Sequence, residues 1–230
     1  MEIQEVSGHL ILETASGKYV IDTGSPTSFA RGGNINFASR TVDVSTSAMG
    51  MLDADTLSGY IGSEVDGLIG MDVLGDYRLT FSQNRLIVED SDNLEDGFVV
   101  LPTDSFMGIP VVTGNIDGHE IRVFVDSGAK ISYLSPNLIA NLPIAENVRD
   151  FYPGMGEFDV DVSIASCTLA GLPLQARFGR LPTLLQMTLM MGGVNGILGN
   201  DLFSKYDVCI NHGQKVAIRQ LSGGTLKTRR

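Results

Sequence analysis

The sequence predicts an all-β protein built as two similar lobes, and three observations carry that expectation. Short runs rich in β-branched and aromatic residues, such as Lys18-Tyr19-Val20-Ile21 and Ile121-Arg122-Val123-Phe124-Val125, each follow a turn signal, Ala15-Ser16-Gly17 and Asp117-Gly118. Helix signals are few; the clearest is Ser135-Pro136-Asn137-Leu138-Ile139-Ala140-Asn141-Leu142, with Ser at the N-cap and Pro at the first helical position. Finally, the order of segments in the first half returns in the second.

That repeat is specific. Ile21-Asp22-Thr23-Gly24-Ser25 is matched by Val125-Asp126-Ser127-Gly128-Ala129, 104 residues later. Downstream, Gly67-Leu68-Ile69-Gly70-Met71-Asp72-Val73-Leu74 is matched by Gly196-Ile197-Leu198-Gly199-Asn200-Asp201-Leu202-Phe203 at an offset of 129, which also pairs Tyr77 with Tyr206, Leu79 with Val208 and Phe81 with Ile210. Four ordered segments at two offsets read as an internal duplication. A lone Asp on a Gly turn is usually structural. Two in matched contexts point to a carboxylate pair, one member from each half, and hence to general acid/base chemistry.

These residues resemble the aspartic protease superfamily that contains pepsins and retropepsins. In that family each lobe or subunit contributes an Asp-Thr/Ser-Gly loop, and a downstream apolar-apolar-Gly segment packs across it. The resemblance implies a bilobal, pseudo-twofold fold of two retropepsin-sized lobes in one chain, an Asp22/Asp126 dyad that activates water against a peptide bond, and a monomer. It also implies that Thr23 and Ser127 bond backbone across the lobe interface, and that Gly24 and Gly128 allow the turn and let the loop amides approach. Ser25 is expected to donate its hydroxyl to Asp22, whereas Ala129 has none to give, which leaves Asp126 as the proton carrier. The competing expectation is a catalytically silent peptide-binding or regulatory module on the same fold.

The expected division is a first lobe over 1–90, an acidic linker over 91–97 (Ser91-Asp92-Asn93-Leu94-Glu95-Asp96-Gly97) and a second lobe over 98–230. From Asp to the apolar-Gly segment the first half takes 45 residues and the second 70, a surplus the size of a hairpin arm. Within it lies Phe151-Tyr152-Pro153-Gly154-Met155-Gly156-Glu157-Phe158. By resemblance this is a flap over substrate, with Tyr152, Pro153, Gly154, Met155 and Gly156 at its tip; otherwise it is an ordinary hairpin turn. The first half offers only Ser47-Ala48-Met49-Gly50-Met51 there, so a single flap is expected, on the second lobe. The run Leu184-Leu185-Gln186-Met187-Thr188-Leu189-Met190-Met191 suits core packing first and a pocket wall second.

Composition narrows the function classes. The net charge of −11, with Lys227, Arg229 and Arg230 of the tail as the one basic cluster, disfavours nucleic acid, whose phosphates need a basic face. No run reaches the roughly 18 apolar residues of a membrane span, and Met1-Glu2-Ile3-Gln4-Glu5 lacks a signal-peptide pattern. A cytoplasmic protein acting on a peptide or protein substrate is expected. Cys167 and Cys209 read as buried thiols or as one disulfide, and His9, His119 and His212 share no ligand spacing, so no metal and no cofactor are expected.

Overall fold

The structure is a computed structural model that describes residues 1–221 apart from Met49, Asp92, Pro153 and Gly154. In the first half, β1 (Ile3–Val6), β2 (His9–Thr14) and β3 (Gly17–Ile21) form a meander that ends at the Asp22 loop. The chain returns as β4 (Phe29–Ala30), makes the hairpin β5 (Asn34–Phe37) and β6 (Arg40–Asp43), then a much smaller one, β7 (Ser47–Ala48) and β8 (Leu52–Asp53). Helix α1 (Ala54–Ile61) follows because Asp53 caps it, accepting from Thr56 N at 2.8 Å, and Gly62 at φ 72° ends it. Its buried residues Ala54, Leu57 and Ile61 share one face. Strand β9 (Gly67–Ile69) then inserts parallel to β3 and antiparallel to β4, and α2 (Met71–Leu74), β10 (Arg78–Ser82) and β11 (Arg85–Glu89) complete the half.

The second half repeats this path with longer strands. After β12 (Val99–Val100), a meander of β13 (Thr103–Phe106), β14 (Ile109–Ile116) and β15 (His119–Val125) leads into the Asp126 loop. Then come β16 (Ser132–Leu134), α3 (Pro136–Ile139), the long hairpin β17 (Glu146–Tyr152) and β18 (Gly156–Leu169), β19 (Leu172–Arg180) and α4 (Thr183–Met191). Strand β20 (Gly196–Leu198) inserts parallel to β15 as β9 does beside β3, followed by α5 (Asn200–Phe203), β21 (Tyr206–Asn211) and β22 (Lys215–Gln220). The register repeats too: Val20 faces Leu68 and Ile21 faces Ile69, while Phe124 faces Ile197 and Val125 faces Leu198. Tyr19, Val20 and Ile21 are all buried, as are Val123, Phe124 and Val125. Strands covered on both faces read as continuous apolar runs rather than as alternation. The fold is therefore all-β and bilobal, with few short helices.

A third sheet joins the halves. Its order is β11-β10-β21-β22-β12, so β10 of the first half pairs with β21 of the second, Leu79 opposite Ile210 and Phe81 opposite Val208. Residues 91–97 span the gap between β11 and β12. Arg219 of β22 holds that stretch through Glu95 at 3.1 Å and the Asp96 carbonyl at 3.3 Å, while also bonding Asp207 at 2.9 Å.

Two local expectations change. The helix signalled from Ser135 to Leu142 shrinks to the four residues of α3, and the Ser135 hydroxyl donates to the Asn195 carbonyl at 3.0 Å rather than capping it. The Met-rich run is helix α4; among its described side chains Leu185 and Leu189 are buried and Met187, Met190 and Met191 are exposed, so neither core packing nor a pocket wall describes it as a whole. Cys167 and Cys209 are separate buried thiols, and burial pushes the Cys167 thiol up to about 11.

Candidate active site

Both Asp loops sit at the lobe interface because each follows a central strand crossed by its apolar-Gly partner. Asp22 N donates to Ile69 O at 3.0 Å and Asp126 N to Leu198 O at 2.9 Å. The far side of each loop is tied by Met71 N to Ser25 O at 2.8 Å and by Asn200 N to Ala129 O at 3.0 Å. The loops then lock to each other. Thr23 Oγ1 donates to Val125 O at 2.7 Å and accepts from Ser127 N at 3.0 Å; Ser127 Oγ donates to Ile21 O at 2.7 Å and accepts from Thr23 N at 3.1 Å. Both hydroxyl residues are fully buried. Four reciprocal bonds in a dry interface are mutually dependent, since losing one partner strands the other without water.

This lock brings the Asp22 and Asp126 side chains within hydrogen-bonding reach of each other. Gly24 N donates to Asp22 Oδ1 at 2.9 Å; Gly128 N and Ala129 N donate to Asp126 Oδ1 at 2.8 and 3.0 Å. The glycines also serve an end beyond letting these amides approach. Neither Gly24 nor Gly128 has a positive φ. Instead, a Cβ on Gly24 would overlap the Asp126 carboxyl, and one on Gly128 would overlap that of Asp22. Each glycine makes room for the opposite lobe's carboxyl.

Burial is the main force on both acids. It raises the Asp22 pKa, against the hydrogen bond from Asp126 and the Gly24 amide, and it raises that of Asp126 well above the ordinary carboxylate value, with the Asp22 charge adding to it. The pair titrates as a unit that holds one proton more firmly than two separate carboxylates would, with the larger upward shift at Asp126. The expected reason for this asymmetry is wrong, however. The Ser25 hydroxyl donates to Thr27 O at 2.8 Å, because that carbonyl lies within the same turn, and not to the Asp22 carboxyl.

The dyad lies on the floor of a cleft of about 350 Å³ between the lobes, lined from both sides by groups such as Leu52, Leu57, Tyr152, Phe158 and Leu185. The β17–β18 hairpin arches toward it. Tyr152 lines the cleft together with both carboxyls, and burial, with the charges of Asp126 and Asp22, raises its pKa. Met155 N donates to Tyr152 O at 3.0 Å and Gly156 takes φ 75°, as a tight tip requires; Pro153 and Gly154 lie outside the described residues. Phe151 stacks on Tyr60 of α1, with ring centroids 4.7 Å apart, so the hairpin of the second lobe rests on a helix of the first. The first lobe is not bare at the matching place. Its β7–β8 hairpin is only two residues deep, yet Ala48 and Leu52 reach the cleft.

Three groups in the site escape a reading of the sequence. His9 lines the cleft, 5% exposed, and its Nδ1–H donates to Gly128 O at 2.8 Å. Tyr133 donates to Asp150, which also accepts from Phe151 N at 2.9 Å. None of the three lies in either repeated motif, and no spacing connects them. Among the described residues there is no cluster of His, Cys, Asp and Glu that could hold a metal ion, and no helix is long and apolar enough to cross a membrane.

A two-lobed β fold that gives one Asp loop per lobe to a shared cleft defines an aspartic protease architecture. Residues 112–205 match the family model described as "gag-polyprotein putative aspartyl protease". That match covers 94 of the 230 residues, all of them in the second lobe. A retropepsin-like aspartic protease from Rickettsia conorii is similar over 54% of this chain and 91% of its own, at 12% identity and a TM-score of 0.39. A foamy viral protease-reverse transcriptase, determined in complex with an RNA/DNA hybrid, is similar over 40% of this chain at 12% identity and a TM-score of 0.32, and the match spans only 11% of that protein. No curated protein sequence matches the chain.

Proposed function

We propose that this protein is an aspartic endopeptidase acting as a monomer on extended peptide segments. The observation that carries the proposal is the pair of carboxyls held together at the floor of the interlobe cleft, each framed by amides of its own loop and by the glycine of the other. Like charges this close share one proton, as in aspartic proteases generally. Ionised Asp22 takes a proton from a bound water while that water's oxygen attacks the scissile carbonyl carbon. Protonated Asp126 gives its proton to the carbonyl oxygen, yielding a gem-diol. Collapse returns a proton to Asp126, passes the one on Asp22 to the leaving nitrogen and breaks the C–N bond, which leaves an acid and an amine and restores the dyad. Tyr152 and its hairpin cover the substrate, and the apolar walls take its side chains.

Incubation with a mixed peptide library at several pH values, with mass spectrometry of the products, tests the proposal. Wild-type protein should cut, and Asp22→Asn and Asp126→Asn should each abolish cutting while leaving the fold intact. A single mutant with near-normal turnover overturns the two-Asp mechanism. A wild-type protein that binds peptides but cuts none in the library identifies a binding module.

A further inference from the structure

The pseudo-twofold symmetry makes His9 conspicuous. Val6 pairs with His9 and Ile11 with Val20 in the first half, as Phe106 pairs with Ile109 and Val111 with Phe124 in the second, so the counterpart of His9 is Ile109. An aliphatic side chain fills that place in the second lobe, 7% exposed. Packing alone therefore does not require an imidazole.

We propose that His9 is a positioning residue, which orients the Gly128–Ala129 peptide toward Asp126 and seats the flap through Phe151, so that flap closure and dyad geometry are coupled. This rests on the protease reading above.

Gly128 O and Ala129 N–H belong to one rigid unit and point in opposite directions. His9 Nδ1–H holds the carbonyl at 2.8 Å, and the amide on the other edge of the same plane then meets Asp126 Oδ1 at 3.0 Å. In the first loop the corresponding plane is Gly24–Ser25, and the residue in the place of His9 is Ile109, which has no donor to offer. Ser25 N contributes only weakly to Asp22 there, whose main amide donor is Gly24 at 2.9 Å. The two segments are also cross-tied, since Asn200 Nδ2 donates to Gly8 O while Asn200 N donates to Ala129 O at 3.0 Å.

On its other side the imidazole meets the flap. The His9 and Phe151 rings lie 5.5 Å apart at 40°, and Phe151 continues onto Tyr60 at 4.7 Å. A flap that lifts takes Phe151 off the imidazole; a flap that closes presses it back against the group that orients Asp126. The charged groups facing the ring are Asp22, Asp150 and Lys130. Nδ1 remains a donor in the neutral and the protonated ring alike, so the bond to Gly128 survives either state.

The test compares His9→Asn, whose amide can donate from close to the Nδ1 position, with His9→Gln and with His9→Ile, which copies the second lobe. Two readouts are taken: kcat and KM on a peptide the wild type cleaves, and amide hydrogen exchange of residues 127–130 in the whole chain. His9→Ile and His9→Gln should lose about tenfold in kcat, equivalent to about 1.4 kcal/mol, and exchange faster over 127–130. His9→Asn should recover most of both losses. Wild-type kcat in His9→Ile, or an Asn variant no better than Gln, overturns the proposal; if the Ile variant fails to fold, the Asn and Gln pair still decides. Exchange is read without turnover, so a chain that cleaves no peptide defeats the protease reading while leaving the His9 measurement intact.

Discussion

A carboxyl whose pKa is raised by folding leaves the native state holding more protons than the unfolded chain between the two pKa values. Stability must then fall as pH rises through that window, from the ordinary carboxyl value of about 3.9 upward, and stay low above it. Asp126 is such a group, raised by burial first and by Asp22 second. Asp126→Asn keeps an acceptor for Gly128 N and Ala129 N and removes the ionisation. Its melting temperature should equal that of wild type near pH 3 and exceed it increasingly as pH rises through the Asp126 titration; a difference that does not grow with pH refutes the assignment. The residue scale also yields a negative expectation. Because the Ser25 hydroxyl is committed to Thr27 O, Ser25→Ala should leave the alkaline limb of kcat/KM in place. Ala129→Ser should do the same, since its hydroxyl would meet the equivalent carbonyl of Ile131. A shift in either profile would show a hydroxyl reaching the carboxyl after all. The position of Ser25 was legible in the sequence; the choice between two acceptors was not, because a hydroxyl rotor settles only against the folded turn.

At the scale of elements, the β17–β18 hairpin is held mainly by its own ladder, from Glu146 opposite Val162 to Tyr152 opposite Gly156. The ion pairs of Arg149 with Glu157 and Asp159 lie on its exposed face and contribute little. What anchors its end is the aromatic run from His9 through Phe151 to Tyr60. Removing the tip, residues 152–156, should therefore raise KM or lower kcat with little change in melting temperature, because the tip closes the site and not the core. Kinetics that do not change would make the hairpin an ordinary surface turn. The length surplus of the second half was legible as an arm. The matching β7–β8 hairpin was not, since two-residue strands leave no alternation to read, and the partner on which the arm rests lies about ninety residues earlier in the chain.

For the whole molecule, assembly follows from connectivity. Both Asp loops are on one chain, the buried hydroxyl exchange links Thr23 to Ser127, and β10 pairs with β21 across the halves. Specific activity should therefore stay constant on dilution, whereas a site shared between two chains would lose activity by mass action. A steep fall across a measured dissociation range would overturn the proposed monomer. The two Asp loops, their hydroxyl and glycine neighbours, the apolar-Gly segments that follow them and the β class are legible in the chain alone. Each of these is a local pattern, written in adjacent residues and written twice. The packed fold alone reveals that Gly24 and Gly128 clear space for the opposite carboxyl, that Ser25 turns away from Asp22, and that His9, Tyr133 and Asp150 gather around the dyad. Those are contacts between segments up to about 140 residues apart, and they exist only once two strands of each lobe have crossed and the lobes have closed on one another.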